Sequence, residues 1–108
     1  MTKPIPIDLR NLTQEKLDLT LKVRAEAHAK HENSCKYSAP CIIGTLIPDD
    51  AKIDPIYDFN TVARMLAEGR FEAPEDQHDT MIKLQHMFDT ALYTEDQIRQ
   101  LATPWITT

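Results

Sequence analysis

The chain has 108 residues, enough for one domain and one core but not two. Hydrophobic residues make up 42% and charged residues 27%, a balance too apolar for a disordered chain. Net charge is −5 and unevenly placed: residues 1–33 carry six Lys/Arg against five Asp/Glu, and residues 34–108 six against twelve. Nucleic-acid binding draws its affinity from clustered Lys and Arg, and no such cluster is present, so nucleic acid is excluded as the leading partner. The acidic half is read as a solvated surface.

The opening residues, Met1 to Pro6, carry no apolar signal-type stretch, and no run approaches the roughly 18 apolar residues of a membrane span. The expectation is a cytoplasmic protein, the host cell cytosol if phage-encoded, in which Cys35 and Cys41 stay reduced. Only two glycines, Gly44 and Gly69, are available for turns, which leans towards helices rather than strands. Seven prolines punctuate the gaps between apolar-periodic segments.

Residues 1–10 read as an extended arm. The first helix is expected over 14–32, capped by Thr13 with Leu12 stapled onto Leu17. It carries two apolar stripes: Leu17, Leu21, Ala25 and His28 on one face, and Leu12, Leu19, Val23 and Ala27 on the other. Two stripes predict a central helix contacted from both sides.

The next segment, Cys41-Ile42-Ile43-Gly44-Thr45-Leu46-Ile47, is apolar throughout and bounded by Pro40 and Pro48. Its length fits a buried strand or two buried helical turns, and periodicity does not choose between them. Pro40 favours a helix start, and a short hairpin around residues 35–42 is the competing option. Gly44 in the middle points to close approach of another element, for which Leu84 and Phe88 offer an apolar face.

A second helix is expected over 59–68, capped by Asp58, with Tyr57 stapled onto Val62 and Gly69 just past its end. The third, over 75–92, starts after Pro74 with Glu75, Asp76 and Asp79 in its first turn. It lines up Met81, Leu84, Phe88, Ala91 and Leu92 towards the core, with His78 near that stripe and His86 facing away. The fourth, over 95–102, has Thr94 and Gln97 spaced as a capping box, with Tyr93 stapled onto Ile98. Residues 103–108, with Trp105 and Ile106, form a C-terminal flap. The reading is a mainly α, compact, single-domain bundle of four to five helices.

Four soft ligands, His28, His31, Cys35 and Cys41, form an H-x2-H-x3-C-x5-C series. Two imidazoles one turn apart and two thiolates could make a tetrahedral zinc set. Their order and gaps match no standard zinc module, and the preferred reading is a buried small cysteine with no cofactor. Asp49, Asp50, Asp54 and Asp58 resemble a calcium loop but lack its central glycine and terminal glutamate. No glycine-rich phosphate loop, HExxH or G-x-S-x-G is present, so no catalytic constellation is expected.

Cys35-Lys36-Tyr37, followed by Cys41-Ile42-Ile43-Gly44-Thr45-Leu46-Ile47-Pro48-Asp49-Asp50, resembles a group of small proteins of tailed phages and prophages. Their pattern reads C-x-Y, a gap, then C-x-[IV]-G-x-[LV]-I-P-D, with a later helix ending L-Q-x-x-H-D. Here that later element is Leu84-Gln85-His86-Met87-Phe88-Asp89, with Phe88 where the group has histidine, and the gap between the cysteines is shorter. The resemblance covers residues 35–50 and 84–89. It implies a mobile-element origin and a non-catalytic protein that binds a host or defence component. The partner is then another protein, a second copy of the chain, or a small ligand.

Overall fold

The computed structural model describes residues 3–29, 41–48, 50, 51, 53, 57, 60–90 and 92–106, the side chain of His28 excepted. The fold is mainly helical, with four α-helices and one two-stranded sheet among the described residues. Strand β1 (Ile5–Pro6) is followed by a 3-10 turn (Leu9–Asn11) and helix α1 (Gln14–Ala29). After a second 3-10 turn (Gly44–Leu46) come α2 (Val62–Ala67), β2 (Phe71–Glu72), a 3-10 turn (Glu75–Gln77), α3 (His78–Asp89) and α4 (Glu95–Ala102). A last 3-10 turn, Thr103–Trp105, follows α4 directly.

The N-terminal arm is part of the core. β1 pairs in parallel with β2, Ile5 opposite Phe71, with Ile5 N–H donating to the Arg70 carbonyl at 2.9 Å and Ile7 N–H to Glu72 at 2.8 Å. Pro6 stands between those two donors, where its missing N–H breaks no bond of the pair. The arm continues into buried Ile7, Leu9 and Leu12. Gln77, also buried, holds it from the other side: its Oε1 accepts Leu9 N–H and its Nε2 donates to Asp8, each at 2.8 Å.

Threonine caps stand at the starts of α1, α2 and α4. Thr13 Oγ1 accepts the Lys16 N–H at 3.1 Å at the start of α1. At α4 the capping box forms in full: Gln97 N–H donates to Thr94 Oγ1 at 3.2 Å and Thr94 N–H to Gln97 Oε1 at 2.8 Å. α2 differs from expectation. It is shorter than 59–68 and is capped by Thr61, whose hydroxyl accepts Arg64 N–H, rather than by Asp58, which lies outside the described residues. Gly69 does end it as expected, at φ 73°, with Gly69 N–H bonded to Leu66 and Arg70 N–H to Met65.

The third helix is also shorter than 75–92. Its first residues form a 3-10 turn and its last helical residue is Asp89. Met81, Leu84 and Phe88 enter the core as expected, but Leu92 is 90% exposed and Ala91 lies outside the described residues. The two-sided reading of α1 is likewise corrected. Its buried face is Leu17, Thr20, Leu21 and Arg24, while Leu19 is 49% exposed and Ala25 is exposed. α3 is the central element instead, packed against both α2 and α4.

The apolar Cys41–Ile47 segment is neither a strand nor two α-turns. It is a turn at Ile42 and Ile43 running into the 3-10 helix Gly44–Leu46. Cys41, Ile42, Ile43 and Leu46 are buried in the same cluster as Leu84 and Phe88. Trp105 and Ile106 pack partly buried against that cluster.

Candidate functional site

The residues singled out by motif separate into core parts and surface parts. Leu84 and Phe88 are fully buried, and Gln85 beside them is nearly so. Gln85 Oε1 accepts the Val62 N–H at 2.6 Å, satisfying one of the orphan donors at the start of α2. Cys41 is buried, and its sulfur lies 3.2 Å from the Gly44 nitrogen, which donates to it. The Cys41 carbonyl accepts Thr45 N–H at 2.9 Å, so the residue bonds the start of the segment Gly44–Leu46 with both backbone and side chain. Pro48 is half-buried, Gly44 is half-buried and Asp89 is exposed. Within the described part of the motif, Cys41, Leu84, Gln85 and Phe88 are buried, whereas Asp89 stands at the surface.

Of the four-ligand series only the Cys41 side chain is described; the His28 side chain, His31 and Cys35 lie outside the described residues, as do Tyr37 and Asp49. Among the described residues no group of three His, Cys, Asp or Glu side chains could hold a metal ion. Of the aspartates compared with a calcium loop, only Asp50 is described, and it is exposed.

Arg24 is the residue that sequence reasoning missed. It sits on the inward face of α1, buried, and its guanidinium meets the end of α3. Nε donates to the Phe88 carbonyl at 2.9 Å, and Nη2 donates to the Thr90 carbonyl at 2.8 Å and the Tyr93 carbonyl at 2.6 Å, with the Met87 carbonyl farther off at 3.5 Å. The last carbonyls of a helix have no intrahelical partner and carry the negative end of its dipole. A planar cation with several donors therefore suits this position, even though burial pulls the Arg24 pKa below its ordinary value. The signal in the sequence is faint: a lone arginine at the i+7 position from Leu17, on a stripe that is otherwise apolar or small.

This clamp fixes the loop between α3 and α4. Leu92 N–H donates to Thr90 Oγ1 at 3.1 Å, and Tyr93 meets the His86 ring edge-to-face at 5.8 Å. The loop is thereby held from below by Arg24 while the Leu92 side chain stands in solvent. Beside it runs an open groove of about 350 Å³ lined by Lys83, Met87, Tyr93, Gln97, Gln100 and Leu101. On the opposite flank, Arg99 of α4 pairs with Asp18 of α1 at 2.7 Å, tying the two helices together. Asp18 and Arg99 stabilise each other's charged forms, lowering one pKa and raising the other.

Among the described residues no helix is long and apolar enough to cross a membrane. No family model, curated protein or solved structure matches the chain.

Proposed function

We propose that the chain is a non-catalytic accessory protein of phage or prophage type that acts in the host cytosol by binding a host or defence protein. The motif resemblance supplies the origin, and one structural observation supports the binding role: Leu92 is 90% exposed on a loop whose backbone Arg24 holds in place. A large apolar side chain loses solvent contact only by meeting something else, and burying a leucine contributes about 1.5–3 kcal/mol. A loop fixed beforehand also loses less conformational entropy on binding than a mobile one. The adjoining groove offers Met87, Tyr93 and Leu101 as apolar contact, with Lys83, Gln97 and Gln100 as the polar rim. The negative balance of residues 34–108 speaks for a protein partner over a nucleic acid.

The test is affinity capture from host extract with the wild-type chain and with Leu92→Ala, after both have been shown to melt at the same temperature. A partner held by the wild type and lost with Leu92→Ala supports the reading. Absence of any retained protein, or equal retention by both, counts against it.

A further inference from the structure

We infer that the outer face of α1 is a self-association seam on which a second copy of this chain packs, with the two α1 helices antiparallel. The inference is independent of the partner proposed for the α3–α4 loop. It starts from the face of α1 that the fold leaves uncovered. Leu17, Thr20, Leu21 and Arg24 are buried, and Leu19 is 49% exposed on the other side. Glu15, Leu19, Lys22, Val23 and Glu26 follow the three- and four-residue spacing of one helical stripe opposite that inward face. Val23 is only half-buried, so the stripe has an apolar middle with charges of both signs around it.

The charges choose the orientation of the second copy. In a parallel pair related by a two-fold axis, Glu15 would face Glu15 and Lys22 would face Lys22, which is repulsive. In an antiparallel pair centred on Leu19, Leu19 meets its own counterpart at the dyad, and Glu15 of each copy stands beside Lys22 of the other. Two reciprocal ion pairs then flank one leucine contact, and the aliphatic stem of Lys16 can cover Val23 of the second copy. Neither Glu15 nor Lys22 is in an ion pair among the described residues, so both are available for these contacts. A self-complementary patch of this kind is what a two-fold interface requires. A two-helix seam buries less than the roughly 1,200 Å² of a stable complex, so the dimer exchanges with monomer.

Sedimentation equilibrium of the full chain at increasing concentration tests this, with circular dichroism confirming that each variant keeps the wild-type fold. The weight-average mass of the wild type should climb towards twice 12.4 kDa. Leu19→Glu, at a half-exposed position, should weaken association by about tenfold or more. Glu15→Lys and Lys22→Glu should each weaken it by about fivefold, and the two together should restore it. A wild type that stays monomeric at about 500 µM overturns the inference and leaves this face to a different chain. A dimer unaffected by Leu19→Glu overturns it as well. Failure of the double reversal to restore association overturns the antiparallel register.

Discussion

Arg24 and Phe88 are 64 residues apart in the chain, yet the Arg24 Nε donates to the Phe88 carbonyl at 2.9 Å from within the core. The same guanidinium reaches Thr90 and Tyr93, so one side chain of α1 satisfies the carbonyls at the end of α3 and in the loop that follows. Helix termination, loop shape and the α1–α3 contact thus share one residue.

Removing that residue should cost more than removing any surface charge. Arg24→Met keeps the stem but leaves three close carbonyl acceptors without their donor in a largely buried setting. Hydrogen bonds to charged groups contribute about 1.5–3 kcal/mol each but do not add in full, so a loss of about 3–4 kcal/mol is expected in denaturant unfolding. Arg24→Lys retains the charge and loses the planar fork that reaches several carbonyls together. Its expected cost is intermediate, about 1.5–2 kcal/mol. Equal stability of Arg24→Met and wild type would show that the clamp is not stabilising.

The motif of the third helix should behave as a packing device. Phe88→Ala empties a fully buried aromatic site and should destabilise by about 3–5 kcal/mol. Gln85→Leu preserves approximate volume but strands the Val62 N–H, with an expected cost of about 1–3 kcal/mol. Amide exchange at Val62 should accelerate in Gln85→Leu well beyond the change at Met81. Equal changes at both sites would mean that the Gln85 bond is not a local anchor.

What the sequence shows of this fold follows how local each feature is. Thr13, Gly69 and the Thr94–Gln97 box act within four or five residues, and each is where its spacing predicts. The core positions Leu17, Leu21, Met81, Leu84 and Phe88 also follow from periodicity alone. The shift of the α2 cap from Asp58 to Thr61 has a cause outside that helix: Gln85 of α3 supplies the acceptor for Val62 and so favours a start there. Arg24 was illegible because burial of a charge depends on carbonyls more than sixty residues away. Leu92 fits the period of α3, but the helix stops at Asp89, and the period stops with it. For the candidate site, the sequence marked Leu84, Gln85 and Phe88 through their motif, while the loop and groove beside them depend on tertiary contacts.

Zinc analysis of the purified protein addresses the His/Cys series. Cys41 is fully buried in the cluster with Ile42, Ile43 and Leu46, and its sulfur accepts the Gly44 N–H. A thiol so placed serves the 3-10 turn, and the expected result is no stoichiometric zinc after dialysis and no change in Tm on adding a chelator. A structural zinc would couple its binding to folding, so a metal that survives dialysis and a Tm that falls with chelator would overturn this expectation.

Acid should loosen the N-terminal arm before the rest of the chain. The hydrogen bond from Gln77 holds the Asp8 carboxyl below its ordinary pKa, with Arg10 adding to the effect and burial opposing it. A carboxylate whose folded pKa is depressed binds its proton more tightly in the unfolded chain. Its contribution is therefore fully present above the unfolded value and is lost as pH falls through the folded one. Asp18, held down by Arg99, and Glu68, held down by Arg64 and Arg70, have the same sign but are exposed and screened by solvent. Asp8 differs because its partner Gln77 is buried and also carries Leu9, so protonation disturbs the bond that fixes the arm beside the 3-10 turn before α3. Thermal unfolding between about pH 6 and pH 3 should show Tm falling as the carboxylates protonate. Asp8→Ala should lower Tm at pH 6 and flatten part of that fall, because its proton linkage is gone. Asp18→Ala, removing an exposed carboxylate, should change the slope less. If Asp8→Ala left both Tm and its pH dependence as they are in the wild type, the Asp8–Gln77–Leu9 chain would not be what secures the arm.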